Sequence, residues 1–327
     1  MIGFGILGAG RILLKYGPAF KLTKGARLIA IASRDAERAR AAVQQHGAIR
    51  AHTGYEALLA DPEVDVIVNA LHNGLHCEWT IRALEAGKHV LCEKPLACSS
   101  DEVERMFAAA HKCRRWLMEA FMYRFHPQIA EAKRLVDTGS IGCVVHVHSR
   151  FTVHGREPSN PRFWADAGGG ALMDLGCYCV NLSRLFAGEP HRAEAHAHFE
   201  NGIDMTISGL MAFAGNVTAS FVCSFDAEGS YQAEIIGTAG KLTIPHPWLP
   251  PASPAELILT RDGKSETIDV DAPPPPSGHF ALEIEHLCEC IRENRPPQFP
   301  PGVDAEENSR GNMRAIESLL RSARINP

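Results

Sequence analysis

Through its first third the chain alternates short apolar runs with amphipathic stretches, and no other feature limits its possible folds as strongly. The runs lie at residues 2–7, 27–32, 64–70, 88–92 and 116–120. They stay apolar along their length, as strands buried on both faces do. Helical stretches at residues 55–59, 77–86 and 101–113 separate several of them. Strands joined by helices run parallel, so one parallel sheet is expected here.

The rhythm changes after Pro127. A helix at residues 128–137 gives way to strands at residues 144–153, 203–213, 217–225, 231–236 and 241–244. Ala214-Gly215-Asn216 reads as a hairpin turn between two of them. Strands in succession with tight turns mean an antiparallel sheet. The expected class is α/β: an N-terminal Rossmann doubly wound parallel sheet, then an α+β domain with a largely antiparallel open sheet. The expected domains are residues 1–122 and 123–327, with closing helices near residues 280–293 and 304–324 free to pack back on the first domain. Proline-rich stretches at residues 245–254, 273–276 and 296–301 read as surface loops.

A length of 327 residues leaves room for two such cores. The net charge of −5 gives no reason to expect nucleic acid or an anionic membrane as partner. No apolar stretch is long enough to cross a bilayer. A strand beginning at Ile2 leaves no room for a signal peptide, and ten cysteines scattered through strands and helices suit buried thiols in a reducing cytoplasm.

The first strand runs into Gly8-Ala9-Gly10-Arg11-Ile12-Leu13. A glycine turn lets backbone approach a pyrophosphate, and the helix after it offers free N–H groups and the positive end of its dipole. Gly8, Gly10, Arg11 and Ile12 are therefore expected to hold a dinucleotide. Leu13 stands where Gly or Ala is usual, which should loosen helix-on-strand packing. The second strand ends in Ser33-Arg34-Asp35, about 20 residues past the glycines, where the ribose is read. Ser33, Arg34 and Arg38 suit an added 2′-phosphate, so NADP(H) is favoured over NAD(H). Asp35 keeps NAD open, although it also fits the N-cap of the helix after it.

Two further clusters carry chemistry. Glu93-Lys94-Pro95 ends a buried strand, at the edge where parallel sheets bind ligands. A lysine beside a carboxylate there is either a surface ion pair or a proton-handling group. The second cluster follows Gly168-Gly169-Gly170, which leads into a helix over residues 171–187 that stops at Gly188. At about 100° per residue, Leu172, Leu175, Cys179, Leu182 and Phe186 form one stripe. Asp174, Tyr178 and Asn181 share another, within about 60° of each other. That second stripe is either a solvated face or part of a site. Sixteen histidines invite a metal reading, but the pairs His72/His76, His146/His148 and His196/His198 each lack a third ligand nearby in sequence, and no metal is expected.

Taken together, Glu93-Lys94-Pro95, residues 168–178 and Glu119-Ala120-Phe121-Met122-Tyr123-Arg124-Phe125-His126-Pro127 resemble the glucose–fructose oxidoreductase/inositol dehydrogenase (Gfo/Idh/MocA) family. Within it they are similar to the branch of NADP-dependent D-xylose dehydrogenases and dimeric trans-dihydrodiol dehydrogenases. The resemblance spans nearly the whole chain. It implies an NAD(P)-dependent oxidoreductase of a sugar or vicinal diol. It implies Lys94, Tyr178 and Asp174 as catalytic residues, and Tyr123 and Arg124 with them at the substrate. It places Glu93 near the nicotinamide ribose, and adds Leu71, Asn73, His76, Lys94 and Arg162 to the cofactor contacts. His72 replaces the proline usual before that Asn-x-x-His element.

The chemistry expected is hydride transfer at a carbinol carbon, with Tyr178 moving the hydroxyl proton, Lys94 steadying the alkoxide and Asp174 binding a neighbouring hydroxyl or orienting Lys94. Lys94 is equally open as the base. This requires an ammonium from the first domain and a phenol from the second to face one nicotinamide ring. Two other classes remain: an NAD-dependent glycosidase of the same fold, and a non-catalytic NAD(P) sensor. Alternation at residues 217–225 leaves one sheet face flat and mildly polar, which suits a homodimer or larger homo-oligomer.

Overall fold

The computed structural model describes residues 1–250, 254–272 and 277–325. In chain order its elements are β1 (Ile2–Leu7), α1 (Leu13–Leu22), β2 (Ala26–Ser33), α2 (Ala36–His46), β3 (Arg50–Thr53), α3 (Tyr55–Leu59), β4 (Val66–Asn69), α4 (His76–Glu85), β5 (His89–Glu93), α5 (Ser100–Cys113) and β6 (Leu117–Ala120). There follow α6 (Pro127–Asp137), β7 (Val144–His154), α7 (Cys177–Ala187), β8 (Arg192–Glu200), β9 (Ile203–Ala212), β10 (Thr218–Ser224), β11 (Asp226–Gly237), β12 (Lys241–Ile244), β13 (Ala255–Arg261) and β14 (Lys264–Val270). The chain closes with α8 (Gly278–Glu293), β15 (Gln298–Phe299), β16 (Val303–Asp304) and α9 (Ala305–Ile325). Two compact units result, Met1–Phe125 with Pro274–Arg310, and His126–Pro273 with Gly311–Pro327. Among the described residues no helix is long and apolar enough to cross a membrane.

The first unit holds a six-stranded sheet in the order β3-β2-β1-β4-β5-β6. Its pairs are all parallel. The order reverses between β1 and β4, which is the topological switch point of a doubly wound sheet. Phe4, Ile6, Val66, Ile67, Val90 and Leu91 are fully buried, as the continuous apolar runs require. Local chemistry sets the helix ends. Asp35 accepts from the Glu37 and Arg38 amides at 2.8 and 3.0 Å and so caps α2. Gly47, at φ 77°, closes that helix in the left-handed conformation. In α8, Phe280 meets Tyr16 of α1 edge to face at 5.3 Å.

The second unit holds an eight-stranded sheet in the order β14-β13-β12-β11-β7-β10-β9-β8. It is antiparallel except for β7 with β10. Gly215, at φ 69°, and Asn216, at φ 62°, make the expected turn between β9 and β10.

Several local expectations change. The helix over residues 171–187 opens with a π-helical turn, Leu172–Gly176, before α7 begins. Its polar stripe is no solvated face, because Tyr178 is 6% exposed and Asn181 fully buried. Six strands go beyond those expected: β3, β8, β13, β14 and the short pair β15–β16. β3 and β8 are short of large apolar residues, and β13–β14 is a hairpin around Asp262-Gly263. The stretch at residues 245–254 is not simply a surface loop, since Trp248 within it is fully buried. Residues 251–253 and all of 273–276 lie outside the described residues. In the third proline-rich stretch Phe299 is also fully buried. Leu13 does not splay its helix, being 1% exposed in the core.

Candidate functional site

Parallel register brings the strand tips of the first unit into one row. Leu7 sits opposite both Ala32 and Asn69, Asn69 opposite Cys92, and Cys92 opposite Glu119. The segments that follow therefore leave the sheet along one edge: Gly8 to Ile12, Ser33 to Arg38, Leu71 to His76 and Glu93 to Pro95.

At the switch point Gly8 has φ 103°, and a Cβ there would lie 3.0 Å from the Ala70 carbonyl oxygen and 3.4 Å from Leu71 Cδ2. Only glycine suits that position. A Cβ on Gly10 would meet nothing within 4 Å. Helix α1 starts at Leu13, its N-cap residue Ile12 gives no side-chain cap, and Arg11 beside it is exposed. An open backbone turn feeding an uncapped helix start is what a pyrophosphate needs, so these residues fit the group.

At the tip of β2, Ser33 is buried and its hydroxyl accepts from the Asp35 amide at 3.2 Å. Arg34 and Arg38 are exposed on either side of the Asp35 cap. Tyr55, opening α3, lies near both. Burial raises its pKa while Arg34 and then Arg38 pull it down. Its sequence position gave no hint of that pairing.

The next segment is fixed from below. His76 is fully buried, with Nδ1 2.9 Å from the Pro95 carbonyl and Nε2 3.0 Å from the Leu71 carbonyl. Burial draws its pKa down to about 4, against the two carbonyls. The His76 ring thus lies between the Leu71 loop and the Glu93-Lys94-Pro95 segment and, neutral, donates its one N–H to one of the two carbonyls. Asn73 lies in the 3-10 turn before it, Asn73–Leu75. Asn69 donates to the His76 carbonyl at 3.1 Å and to Thr80 at 3.0 Å, which anchors the start of α4.

Glu93 and Lys94 are half-buried. Tyr16, fully buried on α1, donates its hydroxyl to Glu93 Oε1 at 2.8 Å. Glu119, 2% exposed, accepts from the Leu96 amide at 2.8 Å and from the Ser309 hydroxyl at 2.7 Å. Lys94 therefore leaves a backbone held on both sides by buried side chains. Tyr123 and Arg124 are also buried in this unit. Arg124 donates to the Pro300 carbonyl at 3.1 Å, and its guanidinium lies over the Phe299 ring at 5.2 Å. Those contacts hold the Glu119 to Pro127 stretch.

The second unit assembles Arg162, Asp174 and Tyr178 by a glycine-dependent turn. The Gly170 amide donates to the Arg162 carbonyl and the Gly169 amide to the Trp164 carbonyl, both at 2.9 Å. A Cβ on Gly169 would come within 2.4 Å of the Arg162 oxygen, and one on Gly170 within 2.2 Å of Asp204 Oδ1. The close approach sets the Arg162 guanidinium 3.2 Å from the Asp174 carboxylate. Tyr178 lies among aromatic rings, 5.6 Å from Phe151 and 5.7 Å from Trp248 between centroids. Asp174 lies within the π-helical turn and Tyr178 in α7 just after it; such turns are frequent at functional sites. Nothing in the spacing signalled that turn, nor the aromatic niche, whose rings come from β7 and the loop after β12.

The paired histidines have other partners. His146 contacts Thr218 Oγ1 at 2.7 Å and Ser220 Oγ at 2.9 Å, and His148 contacts the same serine at 3.0 Å. Among the described residues no group of three His, Cys, Asp or Glu could hold a metal ion.

The chain is similar to known proteins over most of its length. The family model described as "Oxidoreductase family, NAD-binding Rossmann fold" matches residues 2–121, and that described as "GFO/IDH/MocA C-terminal domain" matches residues 129–243. D-xylose 1-dehydrogenase (NADP(+)) 2 of Haloferax volcanii is 37% identical, over 98% of this chain and 97% of that protein. Trans-1,2-dihydrobenzene-1,2-diol dehydrogenase of Xenopus tropicalis is 34% identical, over 88% of each. The crystal structure of KijD10, a 3-ketoreductase from Actinomadura kijaniata in complex with NADP and TDP-benzene, superimposes with a TM-score of 0.90 at 29% identity, covering 98% of this chain and 97% of that one.

Replacing Glu119 tests how the Lys94 segment is held. Glu119→Ala strands a buried amide and a buried hydroxyl, each costing about 1–3 kcal/mol. The urea midpoint should fall clearly for Glu119→Ala and less for Glu119→Gln, which keeps one acceptor.

Proposed function

Because the chain belongs to the Gfo/Idh/MocA family and is an NAD(P)-dependent oxidoreductase acting on CH–OH groups, we propose that it moves a hydride between NADP(H) and a carbinol or carbonyl carbon of a sugar or vicinal diol. The observation that carries this reading is the Glu93-Lys94-Pro95 segment, held at the sheet edge by Tyr16, His76 and Glu119.

The nicotinamide, when bound, supplies or accepts the hydride. The hydroxyl proton is then left for the protein to handle. We assign it to the phenol of Tyr178. The ammonium of Lys94 steadies the developing alkoxide, where a fixed charge in a poorly solvated site is worth most. Asp174, paired with Arg162, accepts from a neighbouring substrate hydroxyl. Such a carboxylate favours vicinal diols and sugars over simple alcohols. Tyr123 and Arg124, which the resemblance places at the substrate, are buried, and Arg124 is assigned instead to holding the segment after β6 through the Pro300 carbonyl.

NADP(H) is preferred for a chemical reason. Asp35 spends its carboxylate on the α2 cap, where two amides and then Arg38 hold its pKa below the ordinary range. Ser33, Arg34 and Arg38 remain to meet a 2′-phosphate. The names of two relatives point the same way, one a dehydrogenase of NADP(+) and one solved with NADP. Glu93 and Asn73 are assigned to the nicotinamide ribose side, and Gly8, Gly10, Arg11, Ile12 and Leu71 to the pyrophosphate.

The chain is also proposed to work as a homodimer. The sheet face opposite α7 is flat, mixing half-buried His146, His148 and Ser220 with Leu210, which is half-exposed. A flat face of that composition suits a two-fold contact with a second copy.

Three measurements test these assignments. Lys94→Ala and Tyr178→Phe should each lower kcat by about 10²–10⁴-fold while NADP still binds. Near-normal turnover in both would remove the assignment. Arg34→Ala with Arg38→Ala should weaken NADP binding by roughly tenfold or more, the scale of a lost charged hydrogen bond, and leave NAD binding nearly unchanged. Equal losses for the two cofactors would count against the phosphate reading. Light scattering should give twice the chain mass, and a monomer would refute the two-fold contact.

A further inference from the structure

We propose that Asp204 is a positioning residue for Asp174 and Tyr178, its buried carboxylate anchoring the first turn of their helix only while it carries its charge. The proposal rests on the reading that Asp174 and Tyr178 meet the substrate. Asp204, 2% exposed, is the second residue of β9, which follows the Asn201-Gly202 turn. Its Oδ2 accepts from the Leu172 amide at 2.7 Å, two residues before Asp174. Its other oxygen occupies the space that a side chain at Gly170 would need. The Gly170 carbonyl in turn accepts from the Asp174 amide at 3.0 Å. One carboxylate therefore anchors the start of the turn that presents Asp174 and fills the space beside Gly170.

That brace depends on ionisation. A carboxylate accepts at both oxygens, whereas a protonated acid turns one of them into a donor facing amides. The groups that act on Asp204 are the amides of Leu172 and Ala171, its own amide and the guanidinium of Arg324 on α9. Asp204 in turn raises the pKa of the Cys223 thiol on β10, after burial and Cys179. Burial pushes Asp204 up to about 6, outweighing the amides and Arg324.

The sign separates this role from an ordinary structural one. Between its unfolded value near 4 and its folded value near 6, the native protein holds a proton that the unfolded chain has released. The contribution of Asp204 to stability is therefore greatest below pH 4 and falls as pH rises through 6. Its anchoring of the helix runs the other way, present above pH 6 and lost below. A purely structural cap would lose stability and activity together on acidification.

The test follows kcat, thermal midpoint and near-ultraviolet circular dichroism from pH 5 to 8 in the whole protein with saturating NADP(H). In the unmodified chain kcat should fall about tenfold from pH 7 to pH 5 with a midpoint near 6. The aromatic signal of the Tyr178–Trp248–Phe151 group should change with the same midpoint. In Asp204→Asn both transitions should vanish, kcat should stay at a low plateau, and NADP affinity should be unchanged; the thermal midpoint should climb more steeply from pH 5 to 7 than in the unmodified chain, because the opposing contribution of Asp204 is gone while buried histidines such as His76 titrate as before. An Asp204→Asn variant that keeps full kcat at pH 7.5, or keeps the midpoint near 6, overturns the proposal. If that variant does not fold, the absence of an aromatic transition between pH 5 and 7 in the unmodified chain overturns it equally. An aromatic transition that Asp204→Asn abolishes, combined with full turnover in Tyr178→Phe, upholds the anchor and discards the catalytic reading of Tyr178.

Discussion

Pairing of β1 with β4, with Leu7 opposite Asn69, is the constraint on which the first unit depends. Parallel strands in one register must end along one edge, and their connections must leave from it. A slip of one residue would turn every buried side chain to the other face of the sheet. The register thus sets the Gly8 turn against Ala70 and puts Glu93 next to Ala120. Buried polar groups then lock the outgoing loops. His76 reaches Pro95 and Leu71, and Glu119 reaches Leu96 and Ser309. The backbone that carries Lys94 gains precision from such support, which a loop alone would not give.

The second unit solves the same problem with glycine. Gly169 and Gly170 allow carbonyls and a carboxylate to come closer than any side chain would permit. Arg162 and Asp174 meet across that turn, and Tyr178 follows a π-helical turn into an aromatic niche. Burying the carboxylate of Asp204 there works against stability, because desolvation disfavours its charge. Conformational definition near Asp174 is what the fold receives in exchange.

Much of the fold was legible because its signals are local. Both sheets, the hairpin turn at Gly215, the Asp35 cap and the closing helices all follow from periodicity and turn chemistry. The Asp262-Gly263 hairpin carried an equally local signal, but it lies between two proline-rich stretches that read as loops. β8 was harder to see, because its alanines and charged residues suit an edge position more than a core. The π-helical turn inserts no distinctive residue type, so a helix at constant pitch was the natural reading of residues 171–187.

The sequence by itself determined the fold class, the glycine turn, the lysine at a strand tip and the helix bearing Asp174 and Tyr178, since each is written in neighbouring residues. Tertiary structure alone decided what fixes them. Tyr16 reaches Glu93, Glu119 reaches Leu96 and Ser309, Asp204 reaches Leu172, and Trp248 reaches Tyr178. Those partners lie tens to hundreds of residues apart along the chain. Their meeting is set by strand register and by the packing of helices on sheets, quantities that no local window of residues contains.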